Sequence, residues 1–414
     1  MSVSRHPGSA PLRALLVSHT LSRTGNVITV FAVPFAVLST GGDAVQVGIA
    51  AAATTAPIVI GGPLGGALVD RLGHVRSSVL SDLISGANLA LIPLLAGAGL
   101  LPFGALLALV FLGGLLDTPG ETARRVLLPP LSEQARIPIE RSIGFLDGTT
   151  RLSTLLGAPL AGILVASLGP YPALYLTATA FAASALLTAT AVRLPAGTLP
   201  GRSGRSYWRD LKDGFQFVVH DPLLIRIIGL VLITNTLDAA RSGTLMPLYA
   251  VENLNGPGSL GIVVGTFGAA AFIGTVVFGY IAHRLPRRIP FTLCFTIAGG
   301  YALAPAFGFH TPGMIATAAL CGLAAGALNP IIGAVQYQRV PAGLRARVFG
   351  LVTAGAWAGM PLGGLVGGVG ASLVGVRPTF AIIAVIYITA TLTPLLGGAW
   401  RLMERSTPTE PRRE

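Results

Sequence analysis

The sequence predicts an all-α membrane protein with twelve transmembrane helices in two pseudo-symmetric six-helix bundles. Three observations predict it: an apolar composition, basic clusters at alternate connections, and an internal repeat. Of the 414 residues, 52% are hydrophobic and 11% charged, and the mean hydropathy is +0.73. A water-soluble protein of this length could not bury so much apolar side chain, whereas lipid solvates it. The 54 glycines agree with this, because small residues let membrane helices approach closely.

A spanning helix needs ~20 mostly apolar residues. Twelve such segments lie between the charged clusters, at 14–38, 45–68, 77–98, 103–123, 142–166, 171–192, 222–249, 260–282, 290–308, 313–335, 348–371 and 379–400. They are numbered spans 1 to 12 in chain order. Pro- and Gly-rich turns at 101–104, 169–172 and 255–258 punctuate connections on one side. The polar stretch from Leu194 to Asp221 separates six spans from six. The expected organisation is a bundle over 1–193, a linker with an amphipathic segment over 194–221, a second bundle over 222–400 and a tail over 401–414.

Charge orients these spans. Basic residues cluster at every second connection, as Arg71/Arg76, Arg124/Arg125/Arg136/Arg141, Arg193 to Lys212, Arg284/Arg287/Arg288, Arg339/Arg345/Arg347 and Arg401 to Arg413. The intervening connections carry Asp43, Glu252 and a single Arg377. Positively charged loops stay in the cytoplasm, so both termini are expected there, in a multi-pass protein of a bacterial cytoplasmic membrane. The net charge of +12 is then a consequence of topology, and no nucleic-acid partner is expected. The polar first ten residues and the long apolar run after them argue against a cleavable signal peptide.

The two halves share short segments. Gly66-Ala67-Leu68-Val69-Asp70-Arg71-Leu72-Gly73-His74-Val75 aligns with residues 279–288, Gly279 to Arg288, and both follow the second span of their half. Pro159-Leu160-Ala161-Gly162 in span 5 recurs as Pro361-Leu362-Gly363-Gly364 in span 11. Related halves of this kind place a substrate site at their interface near the bilayer midplane.

Other chemistries find no support. Cys294 and Cys321 fall inside apolar segments and suggest neither a disulfide framework nor a metal site. A phosphate-binding G-x-x-x-x-G-K-[ST] loop is absent, and Lys212 is the only lysine. With no Ser/His/Asp or redox constellation either, the chain is expected to be neither an enzyme nor dependent on a cofactor.

Across nearly its whole length the sequence resembles the major facilitator superfamily. The signature after span 2, roughly G-x-L-x-D-R-x-G-R-[RK], is matched by Gly66, Leu68, Asp70, Arg71 and Gly73. His74 and Val75 stand in place of the basic pair, with Arg76 adjacent, and the second copy has His283 in place of the acid. Two features are similar to the drug-efflux branches, the macrolide-efflux-like and drug:proton antiporter groups. One is the lead-in to span 7, Asp210 to Phe217 followed by Asp221-Pro222. The other is a span 5 element resembling g-x-x-x-G-P-x-x-G-G, in which Pro159 and Gly162 match and Gly157 stands beside them, while Thr154, Ala158 and Ile163 replace glycines. The resemblance implies export of small amphipathic compounds by alternating access, powered by the proton gradient, from a monomer. A metabolite importer or facilitator of the same fold remains an alternative, and a transport-inactive sensor a remoter one.

An ionisable group inside the hydrocarbon costs roughly 2.5–3.5 kcal/mol on insertion scales, so it normally faces protein or a wet cavity. His19 and Arg23 in span 1, Asp117 in span 4, Asp147 and Arg151 in span 5, and Asp238 and Arg241 in span 7 are such groups. Asp147/Arg151 and Asp238/Arg241 are spaced to share a helix face, and Asn235 lies one turn before Asp238. These pairs serve either the substrate and proton pathway or simply helix register. His19 reads as a hydrogen-bonded packing residue. The resemblance places spans 1 and 4 at the central cavity, where Arg23 and Asp117 would pair. It also makes the amide of Asn26 a departure, because related proteins often carry an acid near that position. Asp117 and Asp238 then become the candidate proton carriers; Arg241 one turn from Asp238 and Glu121 one turn from Asp117 make Asp117 the expected one, with Arg23 as its mobile partner. For the gate motif of Gly66, Asp70, Arg71, Gly73, His74 and Arg76, the expectation is that Asp70 meets a helix N-terminus such as that of span 11. Its basic residues would reach Asp82 and Glu121.

Overall fold

The computed structural model describes residues 9–193, 207–281, 286–341 and 344–404. Among them the chain is helical with no strand, and twelve helices are long and apolar enough to cross a membrane. The first six spans are Ala10–Ser39, Ala44–Leu72, His74–Gly97, Phe103–Gln134, Ile139–Leu168 and Pro170–Ala191. A short amphipathic helix, Tyr207–His220, precedes the second six. These are Pro222–Asn253, Pro257–Ile281, Arg288–Ala306, Thr311–Arg339, Arg347–Val374 and Val376–Leu396. Their lipid-facing sides are covered by exposed apolar side chains such as Leu186, Leu320, Leu373 and Val385.

Local chemistry sets the ends. Asp43 caps span 2 by accepting from the Gln46 amide at 2.8 Å, while the Gln46 side chain accepts from the Asp43 amide at 3.2 Å. Spans 2 and 3 are joined through Gly73 alone, whose φ of +86° suits a residue without Cβ. Asp221 Oδ1 accepts from the amides of Leu223 and Leu224 and so caps span 7. The main correction to the expected boundaries is in span 4. It continues to Gln134, so Arg124 and Arg125 lie on the helix and not in a basic loop.

The chain divides into two compact units, and the division does not simply follow the sequence halves. One unit contains Met1–Ser203, Ala239–Gly265 and Met360–Gly375. Its centre is spans 1, 3, 4 and 6, with span 5 against span 1 and span 2 against span 4. At the end away from the basic loops, here the neutral end, span 2 meets span 11 glycine to glycine. A Cβ on Gly48 would stand 2.5 Å from the Gly364 carbonyl oxygen, and one on Gly364 would stand 2.7 Å from that of Gly48. Spans 5 and 8 meet in the same way through Gly162 and Gly261. Backbones this close gain dispersion contacts along their whole length, which any side chain would forfeit.

The other unit contains Gly204–Asp238, Thr266–Gly359 and Val376–Glu414. Here the amphipathic helix packs onto span 11 and onto the start of span 7, around Val218, Leu224, Val340, Val348 and Val352. Arg339 closes span 10 against Asp221 at 2.8 Å. Arg288 donates to the carbonyls of Pro394 and Leu395, each at 2.7 Å, which satisfies groups freed at the end of span 12. Two of the divisions between units, in spans 7 and 11, fall at or beside irregular backbone, whereas that in span 8, after Gly265, lies within a regular helix. Span 7 has a π-helical turn at Arg241–Leu245, and span 11 is interrupted between Trp357 and Met360.

Candidate functional site

Polar residues from spans 1, 3, 4 and 6 form one connected set inside the first unit. Span 1 presents Ser18, Ser22 and Asn26 at intervals of four, so all three project from one face toward spans 3, 4 and 6. Span 4 presents Asp117, Glu121 and Arg124 at i, i+4 and i+7, also one face. Span 3 adds Asp82 and span 6 adds Ser184.

At the centre is Arg124, fully buried together with Asp82. Its Nη1 donates to both carboxylate oxygens of Asp82, at 3.0 and 3.1 Å, and its Nη2 to Ser22 Oγ at 3.0 Å. Ser184 Oγ donates to Asp82 Oδ2 at 2.6 Å. Asp117 is held more loosely: Oδ1 lies 3.6 Å from Arg124 Nη2, while Oδ2 accepts from Asn26 Nδ2 at 2.7 Å. Two buried carboxylates therefore share one guanidinium, and Asp82 has the closer hold.

A second, half-exposed group adjoins it. Glu121 bridges Arg23, at 3.2 Å, and Arg125, at 3.1 Å. This corrects one expectation: Arg23 pairs with Glu121 and not with Asp117, because Arg124 and Asn26 already occupy the Asp117 carboxylate. Asp82 and Glu121, the acids expected to meet the gate motif, are engaged by Arg124, Arg23 and Arg125, and the Arg71 side chain lies outside the described residues.

The remaining expected residues are distributed as follows. His19 is 1% exposed, and its Nε2 lies 2.9 Å from Thr150 Oγ1 in the seam of spans 1 and 5. Asp147 and Arg151 are both exposed and, among the described residues, form no ion pair, contrary to the pairing their spacing suggests. The physical reason is that an exposed pair gains little over separate solvation. Both lie on the face of span 5 that carries Ala158 and Gly162 nearer the neutral end, Gly162 being the residue that meets span 8. Gly157 abuts Val27 of span 1, and Pro159 abuts Gly265 of span 8, so this element packs helices.

In the second unit, Asn235 Nδ2 donates to the Ala356 carbonyl at 2.9 Å, beside the interruption of span 11. Asp238 Oδ2 accepts from Tyr387 of span 12 at 3.3 Å. Arg241, which belongs to the first unit, opens the π-helical turn of span 7. In the gate motif, Gly73 makes the turn, His74 starts span 3 half-buried and Arg76 is exposed. The side chains of Gly66, Asp70 and Arg71, and residues His283 and Arg284 of the second copy, lie outside the described residues.

Sequence reasoning missed Asp82 and Arg124 as a pair. The sequence reading takes Asp82 as a partner of the gate motif and Arg124 as a loop residue. The spacing of Asp117, Glu121 and Arg124 along one face was the signal that all three belong to the same helix.

The arrangement offers charged groups in a membrane interior and, among the described residues, no group of His, Cys, Asp and Glu that could hold a metal. The comparisons with known proteins agree with such a role. A family model described as Major Facilitator Superfamily matches residues 15–255 and 228–414. The chain is 29% identical to the multidrug efflux pump Tap of Mycolicibacterium fortuitum, over 89% of this chain and 91% of that protein. It is 25% identical to the enterobactin exporter EntS of Citrobacter koseri, over 97% and 95%. The solved structure of the nucleoside transporter NupG shares the fold, with a TM-score of 0.74 at 14% identity, over 95% of this chain and 98% of that one. Twelve spans, the Asp70-Arg71 signature and a family match over nearly the full length lead to one conclusion: the chain belongs to the Major Facilitator Superfamily, as a drug-efflux-like transporter and not an enzyme.

Proposed function

We propose that this protein exports small amphipathic compounds, preferentially positively charged ones, across the cytoplasmic membrane in exchange for protons. The observation that carries the reading is the shared guanidinium. With every group ionised, Asp82, Asp117 and Arg124 sum to one negative charge in a buried setting. Arg23, Glu121 and Arg125 sum to one positive charge on the more exposed side. The six groups are then neutral together, and a proton on Asp117 makes them net positive. A cationic substrate is accepted by the unprotonated set and repelled by the protonated one. Two ligands that exclude each other from one set of charges are what an exchanger requires.

Asp117 is the proton carrier in this scheme because Asp82 already holds both short bonds from Arg124. Asn26 positions the Asp117 carboxylate. Arg23 competes for Glu121, beside the site, in place of the direct role expected for it. The exposed Asp147 and Arg151 sit at hydrocarbon depth, where charges face a wet cavity, and they line the route from the basic end. The basic end faces the cytoplasm and holds both termini, and the chain works as a monomer. The multidrug pump and exporter names of its relatives support the outward direction.

The test is accumulation of a cationic amphipathic dye in cells with and without the protein. Export predicts lower retention with the protein and restoration by a protonophore. An importer predicts higher retention that the protonophore reduces, and either that result or no difference would overturn the proposal.

A further inference from the structure

At the basic end of the first unit, spans 1 and 5 and Ile137 before span 5 line a crevice of about 300 Å³. Leu12 and Leu16 form one wall, and Phe145 and Leu152 the other. Its floor exists because span 5 has glycine at two positions one turn apart. At Gly144 and at Gly148, a Cβ would meet nothing within 4 Å. Glycine costs roughly 0.5–1 kcal/mol relative to alanine in a helix interior, and here no neighbouring backbone requires its absence of side chain. This differs from Gly162, whose place is taken up by span 8. The two glycines keep a space open.

The mouth of that space is basic. Arg13 lines it and is exposed. Arg141, also exposed, has its guanidinium 5.5 Å from the centre of the ring of Phe145, which lines the crevice. Apolar walls one or two turns into a transmembrane bundle, with two arginines at the headgroup level, match a lipid that has an acyl chain and an anionic head. Basic pockets between helices on the cytoplasmic side of membrane proteins recognise such lipids by the same two terms.

We propose that this crevice binds one anionic phospholipid of the adjoining leaflet, with an acyl chain along Gly144 and Gly148 and its phosphate between Arg13 and Arg141. The site is separate from the Asp82–Arg124–Asp117 set. It does not depend on what the protein transports.

Native mass spectrometry of the full-length protein, purified in mild detergent and given phosphatidylglycerol or phosphatidylethanolamine at equal concentration, tests this. The wild type should retain one phosphatidylglycerol with about tenfold preference, the order expected from two arginines near a headgroup. Gly148→Leu puts a side chain into the crevice from a position where its Cβ meets no neighbour, and should abolish retention of both lipids. Arg13→Gln combined with Arg141→Gln should keep lipid binding but remove the preference, and it decides the matter if Gly148→Leu fails to insert. Equal retention by Gly148→Leu, equal affinity of the wild type for the two lipids, or displacement of the lipid by a cationic dye would each overturn the proposal.

Discussion

At the scale of single residues, the balance between burial and pairing decides what each charge does. Arg124 is fully buried, and two carboxylates depend on it. Removing one partner of a buried ion pair leaves the other uncompensated, at a cost of about 3–5 kcal/mol. Arg124→Gln should therefore lower the folded yield and the thermal midpoint in detergent sharply. Arg23 is 28% exposed in its pair with Glu121, where such pairs contribute about 0–1 kcal/mol. Arg23→Gln should melt close to the wild type yet transport poorly, and thermal unfolding of the two variants side by side checks the contrast. Asp117, Asn26 and Arg23 were legible in the sequence because polar groups in apolar segments stand out. Their partners were not, since pairing between spans depends on helix rotation, which one sequence does not specify. Asp147 and Arg151 illustrate the converse: their spacing permits a pair that the exposed setting does not favour.

At the scale of elements, the twelve spans were legible almost entirely, because length and apolar content suffice to define a membrane helix. The exception, span 4, runs on through Arg124 and Arg125 because those charges find partners within the unit. The irregular turns of spans 7 and 11 were not legible. Nothing in composition marks the π-helical turn after Asp238 or the interruption near Gly359, beside which Asn235 donates to the Ala356 carbonyl. The repeated Pro-Leu-x-Gly segments were visible as a repeat, but their use became clear only from packing. Gly364 meets the backbone of Gly48 and Ala52, which cannot yield as a side chain can. Gly364→Val should push spans 2 and 11 apart at the neutral end, with overpacking of about 1–3 kcal/mol. A cysteine replacing the buried Ala51, in a background lacking Cys294 and Cys321, should then react with an impermeant maleimide about tenfold faster, since 1.4 kcal/mol is tenfold in a population. An unchanged rate would mean that the glycine contact does not hold this end closed.

At the scale of the whole molecule, a transporter must let one set of groups answer to two ligands in turn. In the first unit, the only carboxylate that is both buried and loosely held by its cation is Asp117, among the described residues. The neutral end of that unit is closed by glycine contacts, and the charged residues of spans 1, 4 and 5 lie toward the basic end. In the proposed exchange, proton binding at Asp117 and cation binding beside Glu121 oppose each other, and the proton gradient gives the exchange its direction. The most direct test compares wild type and Asp117→Asn in proteoliposomes, measuring dye movement down its own gradient and uphill accumulation driven by an imposed pH gradient. The account predicts that Asp117→Asn keeps most of the downhill flux and loses proton-driven accumulation. Uphill accumulation retained in Asp117→Asn, or equal loss of both fluxes, would contradict it.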